Sequence, residues 1–104
     1  MISIYKSGGA DASHPLTIEN NAFESTLPPD ATAWNSGSGS GTMIGDSGGS
    51  HIIVRYNTYL NVCQVCVGVS GGTDIHIVGN VIYGAQRPSS NVGLSVWNQS
   101  SGAC

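Results

Sequence analysis

Charge is what this sequence lacks most. Only 9% of its 104 residues are charged, with 3 Lys or Arg, 6 Asp or Glu and a net charge of −3. An average domain carries about 25%. So few basic residues make no basic patch, and nucleic acid is not an expected partner. Long apolar runs are missing too. None nears the ~18 residues of a membrane-spanning helix, so a membrane is not expected either. Strong helix formers are scarce, while β-branched residues and Gly are frequent, which argues against helices. The opening "MISIYKSGG" has neither the basic region nor the apolar stretch of a signal peptide. By that criterion the chain is cytosolic or a piece of something larger.

Cysteine is sparse and odd in number, with 3 positions: Cys63, Cys66 and Cys104. An odd count does not suit a secreted disulfide scaffold. Cys63-Gln-Val-Cys66 has redox or zinc spacing. A redox site needs a helix after it, however, and a structural zinc site needs a second ligand pair. The expectation is two small packing residues, no metal and no cofactor.

What is present is repetition. "GGSHIIVRYNTYLN", Gly48 to Asn61, recurs as "GGTDIHIVGNVIYG", Gly71 to Gly84. Ile52 falls on Ile75, Val54 on Ile77, Asn57 on Asn80 and Tyr59 on Ile82, always 23 positions on. An earlier copy, offset by 36, holds Leu16, Ile18, Asn21 and Phe23. Its extra residues fall in the Pro-, Gly- and Ser-rich "LPPDATAWNSGSGSG". The unit is apolar-x-apolar-x-x-Asn-x-apolar. Alternation of period two predicts a short strand with one buried face. Asn21, Asn57 and Asn80 are expected to carry a left-handed bend and to stack as an amide ladder. Further strands follow each unit, with Val65, Val67 and Val69 matched by Val92, Leu94 and Val96. In the first copy Ile44 is expected in the role of Val67. Stacked copies bury a core that one copy cannot. A β-sandwich is the competing architecture, but its antiparallel strands do not require one offset with aligned Asn.

"DIHIVGNVIYGAQRPSSNVGLSVWNQSS" resembles the right-handed parallel β-helix repeats of the pectate-lyase-like superfamily. The resemblance covers roughly residues 13–101. It implies an all-β, right-handed parallel β-helix of about three coils. One domain would span 1–104, with loop insertions near 27–41 and 85–91. It also implies a carbohydrate-binding or carbohydrate-active module acting on a polysaccharide, with uronic acids among its sugars, in an extracellular or viral-particle setting. Polysaccharide lyases, pectin hydrolases, uronan epimerases and tailspikes share that superfamily, so the fold alone does not select an activity. Neither the paired aspartates of the pectin hydrolases nor the carboxylate cluster of calcium-dependent lyases is visible. No catalytic residue is therefore assigned.

Several strings imitate other chemistry. "GDSGG", Gly45 to Gly49, matches the nucleophile motif of trypsin-like proteases, with Ser47 as nucleophile. That family needs a longer chain with a His-Asp-Ser order, and the repeat explains the string as a turn. "GSGSGT", Gly37 to Thr42, lacks the lysine and helix of a phosphate loop. Asn98-Gln99-Ser100 is a glycosylation sequon whose meaning depends on secretion. Trp34 and an outward Trp97 are candidate sugar-stacking rings, with ordinary partial burial as the favoured alternative.

The better candidates come from alternation. If Ile52, Val54, Ile75 and Ile77 point inward, then His51, Ile53, Arg55, Asp74, His76 and Val78 point outward. Thr17 and Glu19 extend that face. His51 is expected beside Asp74 and Arg55 beside Glu19, so His51, Arg55, Asp74 and His76 are the candidate substrate-facing residues. Opposite charges on a solvated sheet face are the ordinary alternative. No capping helix is visible at either end, and the repeat breaks off within a coil near Cys104. The expectation is a fragment of a longer β-helix, or self-association through its ends as a structural, assembling module.

Overall fold

The computed structural model describes residues 1–8, 10–25, 40–62, 64–84 and 90–99. They form nine strands: β1 (Ile2–Ser7), β2 (Leu16–Glu19), β3 (Ala22–Glu24), β4 (Thr42–Arg55), β5 (Thr58–Leu60), β6 (Gln64–Val69), β7 (Thr73–Val78), β8 (Val81–Tyr83) and β9 (Ser90–Val96). No helix occurs among the described residues. Every strand pair is parallel. The described residues are all-β, as the scarcity of helix formers predicts.

The pairs fall into three ladders. The first runs β1–β4–β6–β9, using the N-terminal half of β4. The second joins β2 and β7 to either side of the C-terminal half of β4. The third runs β3–β5–β8. Parallel neighbours need a long connection between them. Here each ladder's connection consists of the other two. The predicted register holds: Leu16, Ile52 and Ile75 share one row, and Ile18, Val54 and Ile77 the next. Phe23, Tyr59 and Ile82 align in the third ladder. Val65, Val67 and Val69 face Val92, Leu94 and Val96.

Four points go against the expectations or add to them. The first concerns Ile44, which pairs with Val69, while Thr42 pairs with Val67. The shift by two arises in "GDSGG", which is not a turn but a bend inside the continuous strand β4. Gly45, Ser47, Gly48 and Gly49 there have φ of 82°, 61°, 96° and 127°. At Gly45 an added Cβ would lie 1.9 Å from the Gly71 carbonyl oxygen, so only glycine fits where the two passes cross. The second concerns Ile2–Ser7, which lies outside the stretch that resembles a repeat yet forms a strand of the first ladder. β1 shares no Asn-centred pattern, so its pairing is decided by position and not by motif.

The third, a correction, concerns the bend. The left-handed residues are Asn20, Tyr56 and Gly79, with φ of 57°, 55° and 62°, one position before each ladder Asn. This frees the Asn side chains to hydrogen-bond. Asn57 Nδ2 donates to Asn80 Oδ1 and to the Ile18 carbonyl, each at 3.0 Å. Asn57 Oδ1 accepts the backbone N–H and the side-chain N–H of Asn21, each at 3.0 Å. Asn80 Nδ2 donates to the Val54 carbonyl at 2.9 Å. The amides thus close the backbone bonds that each bend opens.

The core is a pair of apolar clusters inside the ladders. Ile18, Ile44, Ile52, Val54 and Val69 form one, and Tyr59, Val62, Cys66 and Val67 the other. Phe23 stacks on Tyr59 at 4.7 Å with planes 5° apart. The Tyr59 hydroxyl and Thr42 Oγ1 share a buried hydrogen bond of 2.8 Å. The fourth point is at the last pass. Val69 is 6% exposed and Val67 is fully buried, but their partners Val96 and Leu94 are 63% and 51% exposed. Ile82 is likewise 39% exposed where Tyr59 is buried. The rows are inward in register, yet no described strand covers them.

Candidate functional site

The outward face of the second ladder gathers the ionisable side chains. β2, β4 and β7 lie side by side there, and alternation sends Thr17, Glu19, Arg55, Asp74 and His76 away from the core. His51 and Asp74 occupy matching places between the paired rows Ser50–Thr73 and Ile52–Ile75, and both are left-handed, with φ of 55° and 54°. Asp and His tolerate that region better than most residues. The conformation brings their side chains together across neighbouring passes.

The geometry is specific. His51 Nδ1 lies 2.5 Å from Asp74 Oδ2. His76 Nε2 lies 2.7 Å from the other oxygen, Asp74 Oδ1. One carboxylate therefore bridges two imidazoles. Hydrogen bonds from His76 and then His51 hold the Asp74 carboxyl below its usual range. Further along β4, Arg55 Nε donates to Glu19 Oε2 at 2.6 Å. The pairs His51–Asp74 and Arg55–Glu19 are those expected from the repeat. All four candidate residues stand on one face, half-buried or exposed.

Two neighbours extend the site. Tyr56 follows Arg55 at the left-handed corner and is 57% exposed. Its ring lies over Gly79, where an added Cβ would meet it at 2.8 Å, and the Arg55 guanidinium carbon sits 5.7 Å from its centroid. Sequence reasoning missed Tyr56. The signal was the mismatch Tyr56 against Gly79 in otherwise matched copies. Asp11 and His14 lie before β2, where Asp11 Oδ1 accepts the backbone N–H groups of Ser13 and His14 at 2.8 Å. Those bonds, that of His14 first, keep the Asp11 carboxyl below its usual range, and the charge of His51 contributes too.

The other candidates fare differently. Trp97 is half-buried, not outward: its ring edge lies near Gly68, where a Cβ would meet it at 3.1 Å. Glycine at 68 makes room for that ring and for Met43. Trp34 and most of the expected insertion near 27–41 lie outside the described residues, as do 85–89 of the second, whose end, Ser90 onward, is strand β9. Cys66 is a buried packing residue, while Cys63 and Cys104 lie outside the described residues. In "GDSGG", Asp46 accepts the Ser70 hydroxyl at 2.7 Å, a structural bond between passes. Among the described residues, no group of three His, Cys, Asp or Glu has the arrangement to hold a metal ion, and no helix is long and apolar enough to cross a membrane. No family model matches the chain, and searches of curated proteins and of solved structures give no match.

Proposed function

We propose that the chain is a segment of a right-handed parallel β-helix whose outward second-ladder face binds a polysaccharide. Three parallel ladders and the hydrogen-bonded row of Asn21, Asn57 and Asn80 support the architecture. The observation that carries the binding reading is the gathering of His51, Asp74, His76, Arg55, Glu19 and Tyr56 on one accessible face. Each suits a sugar chain. Tyrosine offers an aromatic surface for the apolar face of a pyranose. Arg55 uses its Nε–H on Glu19, and a guanidinium carries four further N–H groups suited to a uronate carboxylate. The imidazole–carboxylate cluster offers hydrogen bonds to hydroxyls, and its histidines are the groups on this face best suited to move a proton. Such a module fits an extracellular enzyme or a tailspike-like protein.

The test is calorimetric titration with a panel of neutral and uronic-acid polysaccharides. Binding to at least one, weakened at least about tenfold by Tyr56→Ala or Arg55→Ala, is the expected result. Absence of binding across the panel refutes the reading.

A structural, self-associating module is the second reading. It is favoured by the open apolar rows at Ile82, Leu94 and Val96. Light scattering over a concentration series separates the two: a monomer at all concentrations removes the second.

A further inference from the structure

Asp74 stands between two histidines, and a carboxylate can only accept hydrogen bonds. Asp74 is kept ionised by those same contacts. Whatever their charge, therefore, the nitrogens that face it must carry the protons: Nδ1 of His51 and Nε2 of His76. A neutral imidazole has only one N–H. The second nitrogens, His51 Nε2 and His76 Nδ1, are then bare lone pairs. When the rings charge, both become N–H donors. Among the described residues no protein group hydrogen-bonds either one, which leaves them to solvent or ligand.

We propose that His51, Asp74 and His76 form a proton-switched clasp for the carboxylate or sulfate groups of an acidic polysaccharide. This rests on the binding face argued above and adds its regulation. With the rings neutral, the clasp presents two acceptors and the charge of Asp74, which repel an anion and suit hydroxyl groups. With the rings protonated, it presents two charged donors and attracts an anion. Histidines change charge between about pH 5 and 8.

The surroundings reinforce the change. The other titratable and charged groups of this region are Asp11, near enough to His51 to feel its charge, His14 paired with Asp11, and Glu19 paired with Arg55 further along β2 and β4. Asp11, Glu19 and Asp74 against Arg55 leave this face at −2 with neutral histidines, and charging His14, His51 and His76 brings it to +1. The backbone points the same way. Glycine relaxes a left-handed residue, and glycines abound just upstream at Gly48, Gly49, Gly71 and Gly72. Positions 51 and 74 nevertheless hold the side chains that make the clasp.

The experiment uses the full chain at fixed ionic strength. Nitrogen NMR of the imidazoles at pH 8 should show His51 protonated at Nδ1 and His76 at Nε2. Polygalacturonate should bind at least about tenfold tighter at pH 5 than at pH 8, the size of one charge-assisted hydrogen bond. In a His14→Gln background, His51→Gln with His76→Gln should abolish that ratio, with melting curves confirming that the variant is folded. The opposite tautomers, equal affinity at both pH values, or a ratio that survives in the double variant overturns the clasp. If no polysaccharide of the panel binds at either pH, the binding face itself is refuted. Inorganic sulfate then decides the clasp alone: it must shift the His51 and His76 ring nitrogens at pH 5 and leave them unmoved at pH 8, and any other pattern overturns it.

Discussion

Replacing Asn57 by alanine tests the construction of this fold at its most buried amide. Asn57 is fully buried and lies between Asn21 and Asn80. Its removal deletes two donated and two accepted side-chain hydrogen bonds. The Asn21 backbone N–H then loses its partner inside the bend, and the Ile18 carbonyl loses one of the bonds it accepts. An unsatisfied buried group costs about 1–3 kcal/mol and a lost hydrogen bond about 1 kcal/mol, so the two together cost about 2–4 kcal/mol. We expect about 3 kcal/mol, which lowers the melting temperature by about 12–24 °C for a domain of this size. Asn57→Asp should be no milder. It keeps the acceptor oxygens but loses the donor and faces the Ile18 carbonyl and Asn80 Oδ1 with a buried charge. Asn21 is exposed and Asn80 half-buried, and water can replace some of their bonds. Asn80→Ala should cost about 1 kcal/mol and Asn21→Ala about 0.5 kcal/mol. Urea denaturation with linear extrapolation measures all four variants. A loss below about 1 kcal/mol for Asn57→Ala, or one no larger than that for Asn21→Ala, would falsify the ladder as the support of the bends.

Gly45→Ala and Gly48→Ala should separate steric from conformational cost. Alanine at 45 meets the Gly71 carbonyl and should cost about 3 kcal/mol or more, whereas at 48 nothing lies within 4 Å and only the left-handed backbone resists, at about 1–2 kcal/mol; equal melting temperatures for the two variants would contradict this. Burial pushes the Tyr59 phenol above its ordinary value of 10.0. A raised folded-state value means that the protonated form is favoured in the fold, so its stability contribution holds below pH 10 and is lost as pH rises through the folded value. The urea midpoint should fall above pH 10, and less steeply in Tyr59→Phe, which itself loses about 1–2 kcal/mol through the Thr42 hydroxyl left behind. Asp74 and Asp11 are held low, so their contribution is present above 3.8 and disappears as pH falls below it. Denaturation between pH 2 and 5 should show an acid loss that is smaller in Asp74→Asn, and an unchanged profile would count against the bridge to the histidines.

Much of this protein was legible before any coordinates. Period-two alternation marked the strands, and the offsets of 23 and 36 are those of the amide ladder itself. Repetition is informative because in-register stacking makes each row meet its own kind. The pairs His51–Asp74 and Arg55–Glu19 follow from the same register, since position in the repeat determines which outward residue lies beside which. What the repeat could not supply lies where the copies differ. The strand Ile2–Ser7 has no Asn and no matching spacing, so only its seat beside β4 reveals it. The two-residue slip that sets Ile44 against Val69 depends on how the backbone crosses at Gly45 and Gly71.

Alternation and spacing, being local and periodic, were enough for the strand class, for the rows within the matched copies and for the side of their outward residues. Tertiary structure alone decided which atoms meet. That Asp74 reaches both histidines, and that Tyr56 lies on Gly79, depend on two left-handed backbone turns. Those turns hold only when neighbouring passes stack. A string of residues records the order along the chain, while the hydrogen-bonding directions of an imidazole are set by what lies across from it.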